Sequence, residues 1–260
     1  MSEIISIVNQ KGGVGKTTTA NNLATALVSA GKKVLVIDSD PQGNVTTSFG
    51  MNKSENVISL YQVLVEVADL EMAIQKTPIA NLDIIVASIS LAAAEIEMAS
   101  LDNARHRLKE KLALVYPQYD YVIIDCPPSL GLLTINALVA SHSIIIPLQC
   151  EFLALEGLSH LLQTFKLVKS RLNSELVING IVLTMYDRRN NLTSVIEADV
   201  RNCLGDIVYQ TVIPRNVRLS EAPSHGKPAL LYDVSCAGSI AYIAMAKEFL
   251  ERERIKEKVA

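Results

Sequence analysis

Apolar residues run through this chain in two alternating patterns. Short unbroken runs stand at residues 4–8 (Ile4, Ile5, Ile7 and Val8 around Ser6), 33–38, 121–125, 143–148, 176–185 and 207–213. Runs of that length, apolar at both alternate positions, predict strands buried on two faces. Between them the apolar positions recur at three- and four-residue spacing. Ala20, Leu23, Ala24, Leu27 and Val28 do so within 17–30, and similar stripes occupy 154–172 and 239–255. That is the period of a helix with one packed face. Apolar strands separated by helices predict an α/β fold: a mostly parallel, twisted sheet flanked by helices on both faces. Its crossovers should be right-handed and its site should lie at the carboxyl ends of the strands. Residues 52–81 follow neither period and read as short helices over a flexible connection. No linker divides the chain, so residues 1–260 are expected to form a single domain.

Composition narrows the class. Hydrophobic residues make up 49% and charged residues 20% of the chain, which is globular and not disordered. The formal net charge of −3 rules out a globally basic nucleic-acid binder, so any such contact must use a local patch. No apolar run approaches the ~20 residues needed to cross a bilayer. The amino terminus, with Glu3 and no basic segment, does not resemble a secretory signal. Cys126, Cys150, Cys203 and Cys236 are scattered without a metal-type pair, as expected of reduced, mostly buried thiols in a cytoplasmic protein. His106, His142, His160 and His225 show neither metal spacing nor a nucleophile partner.

Three strand ends carry chemistry. The first strand runs into Gln10-Lys11-Gly12-Gly13-Val14-Gly15-Lys16-Thr17-Thr18, which opens a predicted helix. Strand, glycine-rich turn and helix form a phosphate-binding context, because backbone N–H groups converge on the anion and the helix N-terminus adds positive partial charge. Gly-Lys-Thr supplies an ammonium for the terminal phosphates, Lys16, and a hydroxyl for Mg²⁺, Thr17. The usual P-loop pattern has glycine where Gln10 stands, and here a second lysine, Lys11, follows it. Two lysines cannot easily converge on one phosphate group from within so tight a loop, so Lys11 is expected to reach the phosphates of a facing subunit. The second strand end, Asp38-Ser39-Asp40-Pro41-Gln42-Gly43-Asn44, offers two carboxylates. Asp40 is expected to orient the attacking water, and Asp38 to hold a metal-bound water or the loop itself. The third, Tyr121 to Asp125, ends in a carboxylate placed to hold Mg²⁺ opposite the loop hydroxyl.

Lys11 to Thr19, Asp38 to Asn44, Asp125 to Gly131 and Ile213 to Ser224 together resemble the ParA-type ATPases of the deviant-Walker group, most closely the Soj branch. The resemblance covers nearly the whole chain and implies a P-loop NTPase fold, with Lys11, Gly12, Gly13, Val14, Gly15, Lys16, Thr17 and Thr18 around ATP and Pro214 and Asn216 near the adenine. It implies Mg²⁺ at Thr17, Asp38 and Asp125, and catalysis by Lys11, Lys16 and Asp40. It further implies an ATP-bound homodimer that holds DNA without sequence preference. A ParB-type centromere-binding protein would stimulate weak hydrolysis, and the ADP form would let go, segregating a chromosome or plasmid. Arg188, Arg189, Arg201, Arg215, Arg218 and Lys227 concentrate in the last third, on or beside loops. Arg189 and Arg218 are the expected DNA contacts, in a cytoplasmic, nucleoid-associated protein. The family also has members with an added amino-terminal helix-turn-helix domain, which is not expected here.

Two rivals share the loop. MinD-like division-site positioning ATPases carry a carboxy-terminal membrane helix, whereas residues 251–260 alternate charge and read as a solvated helix end with local ion pairs. Electron carriers of the nitrogenase-reductase type bridge their dimer with an iron–sulfur cluster, but no second cysteine is placed beside Cys126 in sequence.

Overall fold

The computed structural model describes residues 2–53, 57–151 and 154–259, the side chains of 257–259 excepted. Its strands and helices alternate as β1 (Glu3–Ile7), α1 (Lys16–Ser29), β2 (Val34–Asp38), α2 (Asn44–Ser48), α3 (Leu60–Leu64), α4 (Leu70–Ala73), β3 (Ile74–Lys76) and β4 (Leu82–Ile85). They continue with α5 (Leu91–Met98), α6 (Arg107–Leu112), β5 (Tyr121–Asp125), α7 (Leu132–Ala140), β6 (Ser143–Gln149) and α8 (Ala154–Arg171). The last third holds β7 (Val177–Tyr186), α9 (Asn191–Leu204), β8 (Val208–Pro214), α10 (Val217–Glu221), α11 (Ala229–Tyr232) and α12 (Ala237–Val259).

The strands form one eight-stranded sheet in the order β3-β4-β2-β5-β1-β6-β7-β8. Every pairing is parallel except that of β3 with β4. Alternation along each central strand feeds two cores. Ile5 and Ile7 of β1 join Val34, Val36 and Ile123 under α1 and α12, while Ile4 joins Leu35, Ile37, Val122 and Ile124 under α5 to α8. On α1 the buried residues Ala20, Leu23, Ala24 and Leu27 are the predicted stripe, and Tyr242, Met245, Ala246 and Phe249 repeat the spacing on α12.

All six predicted strands and three predicted helices are present, with ends shifted by a few residues. Residues 52–81 hold α3, α4 and β3, so the expected short helices are accompanied by a strand; residues 54–56 lie outside the described residues. β3 and β4 escape the hydrophobic pattern because β3 is Ile-Gln-Lys and β4 is interrupted by Asp83. That carboxylate is buried but satisfied, accepting from Lys76 Nζ and Tyr119 Oη at 2.8 Å each. At the carboxy end Glu251, Arg254, Ile255 and Lys256 are exposed and Lys256 pairs with Glu253 at 2.6 Å, as expected, but Arg252 departs from that reading. Arg252 is not solvated: it donates to the carbonyls of Asn179, Ile207 and Val208 at 3.1–3.3 Å, and its guanidinium stacks 4.1 Å from the Tyr209 ring centroid. The end of α12 is therefore fastened to the sheet, although the side chains of 257–260 lie outside the described residues. No described helix is long and apolar enough to cross a membrane.

Candidate phosphate-binding site

β1 delivers the chain to the loop, and two glycines let the loop turn back into α1. Gly13 and Gly15 have φ of 75° and 90°, a left-handed backbone in which a side chain would be strained. Gly15 is also the N-cap of α1. It contributes no side-chain cap, and no acidic residue occupies the first turn. The helix terminus therefore keeps both its N–H donors and its positive partial charge for an external anion. The loop is pinned from outside: Thr184 Oγ1 donates to the Val14 carbonyl at 2.8 Å, Asn9 Nδ2 to the Pro147 carbonyl at 2.7 Å, and Gln10 Nε2 to the Gly157 carbonyl at 2.8 Å.

The two lysines part company. Lys16 is 7% exposed, and its Nζ donates to the Lys11 carbonyl at 3.2 Å, inside the loop. Burial pushes its ammonium below the usual lysine value, while Asp125 pulls the other way. A bound anion would favour its charged form. Lys11 turns outward, with 42% of its side chain exposed, and pairs with Glu151.

The acids lie at adjacent strand tips, because Asp38 of β2 is in register with Asp125 of β5. Both are completely buried. Asp38 uses both oxygens within its own loop: Oδ2 accepts from Thr46 N and Oγ1 at 2.8 and 2.7 Å, and Oδ1 from Asp40 N at 3.3 Å. Burial raises its pKa to about 6 against those bonds. Asp125 accepts from Thr17 Oγ1 at 2.8 Å through Oδ2, and its buried Oδ1 has no hydrogen-bond partner among the described residues. Burial, and after it the neighbouring Asp38, hold the Asp125 carboxyl well above the usual range. An orphaned carboxylate oxygen beside a threonine hydroxyl is an oxygen donor set of the kind a hard divalent cation takes. Asp40 stands over this pair, 6% exposed, with Oδ1 accepting from Gln42 N at 2.9 Å.

Beside the loop opens a cleft of about 380 Å³, lined by Gly15, Thr18, Met185, Pro214, Arg215 and Asn216 among others. Pro214 and Asn216, the residues expected near the adenine, both line this cleft, and the side-chain oxygen of Asn216 caps α10 through Arg218 N at 2.9 Å. Thr184, Met185, Arg215 and Tyr242 line the same cleft and were not anticipated as site residues. Met185, the penultimate residue of β7, has a φ of 50° and lines the cleft. No local sequence signal marks a methionine for that task.

The two arginines expected to contact DNA are exposed but paired. Arg189 grips Asp187 with two bonds of 2.9 Å, and Arg218 binds Glu221 at 2.9 Å and Asp233 at 3.5 Å. Arg201 departs from the expected loop cluster. It lies within α9, tied to Glu197 at 2.8 Å and to the Tyr209 carbonyl at 3.1 Å, and holds structure together.

Comparison with known proteins is consistent along the chain. A family profile described as an AAA domain matches residues 2–178. The sporulation initiation inhibitor protein Soj of Bacillus subtilis (strain 168) is 54% identical over 248 residues, covering 95% of this chain and 98% of that protein. The chromosome partitioning protein ParA of Caulobacter vibrioides (strain NA1000 / CB15N) is 51% identical over 259 residues, covering 99% and 97%. Among solved structures, cobyrinic acid a,c-diamide synthase from Mycobacterium smegmatis, with bound ATP analog and magnesium, superposes with a TM-score of 0.85. It is 34% identical and covers 98% of this chain and 96% of its own.

Proposed function

The chain belongs to the Soj/ParA family of chromosome-partitioning ATPases, and from that premise we propose that it is a nucleotide-timed switch. ATP closes two copies face to face, the closed dimer holds DNA without sequence preference, and hydrolysis stimulated by a ParB-type centromere-binding protein opens it. The observation that carries this reading is the opposite fate of the two loop lysines, Lys16 7% exposed and turned in, Lys11 side chain 42% exposed and turned out. A self-contained pocket has no use for an outward second lysine. Half of a shared pocket does.

The residues divide the work accordingly. The N–H groups of Gly12 to Thr18 and the Lys16 ammonium bind the phosphates. Thr17 and Asp125 would hold Mg²⁺, which the orphaned Asp125 Oδ1 fits; bound there, the ion would neutralise charge on the terminal phosphates. Asp40 orients the attacking water. Asp38, both of whose oxygens are engaged, takes the structural of its two expected roles and holds the loop that carries Asp40. Pro214 and Asn216, with Met185 and Arg215, border the base. Lys11 completes the neighbouring copy's site. Hydrolysis thereby becomes a change of assembly state, a population shift driven by the γ-phosphate. The cycle places the protein in the cytoplasm, on the nucleoid while ATP is bound.

DNA retention tests the reading. With ATP the protein should retain random-sequence duplex at low salt, lose it steeply as salt rises, and lose it with ADP. Charge reversal at Arg189 and Arg218 together should abolish retention while leaving ATP binding in place. Retention unchanged by that double reversal contradicts the DNA assignment.

A further inference from the structure

Lys11 is held on its own subunit by one side chain. Its Nζ pairs with Glu151, just beyond β6, and among the described residues neither side chain has another partner. The backbone around Lys11 is independently fixed: its N–H donates to Asn9 Oδ1 at 2.9 Å, Asn9 is bonded to Pro147, and Gln10 to Gly157. The loop therefore keeps its place whatever the lysine side chain does. Both members of the pair remain solvent-accessible, with 42% and 45% of their side chains exposed, so exchange needs only rotation about side-chain bonds.

We infer that Glu151 is a positioning residue that parks Lys11 on its own subunit, so that assembly of the ATP-bound dimer must break this pair to deliver Lys11 to the facing phosphates. The inference rests on the reading of Lys11 as a residue that acts across the interface. A lysine ammonium that reaches a phosphate in another subunit cannot keep this carboxylate as its partner unless Glu151 travels with it, and Glu151 is anchored beside β6 through its own N–H to the Gln149 carbonyl at 2.9 Å. The triphosphate offers a denser negative charge than one carboxylate, and it wins the exchange. Diphosphate presents less, and Lys11 stays home. Glu151 thereby raises the threshold for assembly and sharpens the distinction between the two nucleotides.

The size of the effect follows from exposure. A solvent-exposed ion pair changes an equilibrium constant by a factor of about 1.4–5. A symmetric dimer breaks two of them, so removing Glu151 should tighten ATP-dependent dimerisation by about 2- to 25-fold.

Sedimentation velocity with saturating Mg-ATP, on full-length chains carrying Asp40→Ala to block hydrolysis, measures this constant. Glu151→Gln and, separately, Glu151→Ala should each tighten the dimer within that range, and the gain should shrink at high salt. In a Lys11→Ala background neither substitution should have an effect, which separates parking from a general change of surface charge. If Lys11→Ala weakens the dimer but both Glu151 substitutions leave it unchanged or weaker, Glu151 does not park Lys11 and only this inference fails. If Lys11→Ala dimerises as its parent does, the reading of a shared site fails first and takes the inference with it.

Discussion

Carboxylates stand at both ends of the central strands, and they behave differently. At the carboxyl ends of β2 and β5, Asp38 and Asp125 are completely buried side by side. At the amino end of β1, Glu3 accepts from Ser143 Oγ at 2.6 Å and lies against Glu253 of α12, which Asn179 Nδ2 and Lys256 Nζ bind at 2.8 and 2.6 Å. Burial pushes the Glu3 carboxyl up to about 8, the adjacent Glu253 adds to the rise, and Glu253 itself is held below its usual value by bonds from Glu3, Lys256 and Asn179 that outweigh its own burial. Glu3 thus keeps its proton in the folded chain and loses it in the unfolded chain between pH 4.5, its ordinary value, and about 8. Because the folded state binds the extra proton, this contribution is present at low pH and is lost as pH rises through that window. The unfolding free energy of Glu3→Gln should gain on that of the parent as pH rises from 5 to 8, by on the order of a few kcal/mol at the upper end; a constant difference would contradict it. At this scale the loop lysines and the three strand-tip aspartates were legible, because their spacing relative to a strand end is local. The division of labour between Asp38 and Asp125 was not. It turns on Thr46, whose N–H and hydroxyl both go to Asp38, and on a register between β2 and β5 that no local pattern contains.

Elements with one strong period were legible, and elements specified by their neighbours were not. α1 and α12 announce themselves through a buried face, and the central strands through unbroken apolar runs. β4 is a four-residue strand holding a buried aspartate, made tolerable by Tyr119 and Lys76 from other elements. The last turns of α12 look like a solvated run of alternating charge, yet Arg252 is a fastener for the β7–β8 edge, and Glu248 beside it accepts from the backbone N–H groups of Gln210 and Thr211 at 2.8 and 2.9 Å. A guanidinium that satisfies three carbonyls and stacks on a buried tyrosine is worth more than a surface charge. Arg252→Ala should therefore destabilise the chain by about 2–3 kcal/mol in urea unfolding, and Arg252→Lys should recover little, since an ammonium cannot reproduce the fork. A loss below 0.5 kcal/mol would return the end of α12 to the solvated class.

On the scale of the whole molecule, the parallel sheet gathers everything chemical onto one rim. The glycine turn, Lys16, Thr17, Asp40 and Asp125 surround one point at the carboxyl ends of β1, β2 and β5, and Lys11 faces away from it. On that asymmetry rests the proposal that the site is half of a larger one. Size-exclusion chromatography with light scattering, on the Asp40→Ala chain with Mg-ADP and then with Mg-ATP, measures the consequence most directly. The account predicts a monomer with ADP, a stable dimer with ATP, and a monomer with both once Lys16→Ala is added. A single mass in both nucleotides, at concentrations where the Asp40→Ala chain demonstrably binds ATP, would contradict it.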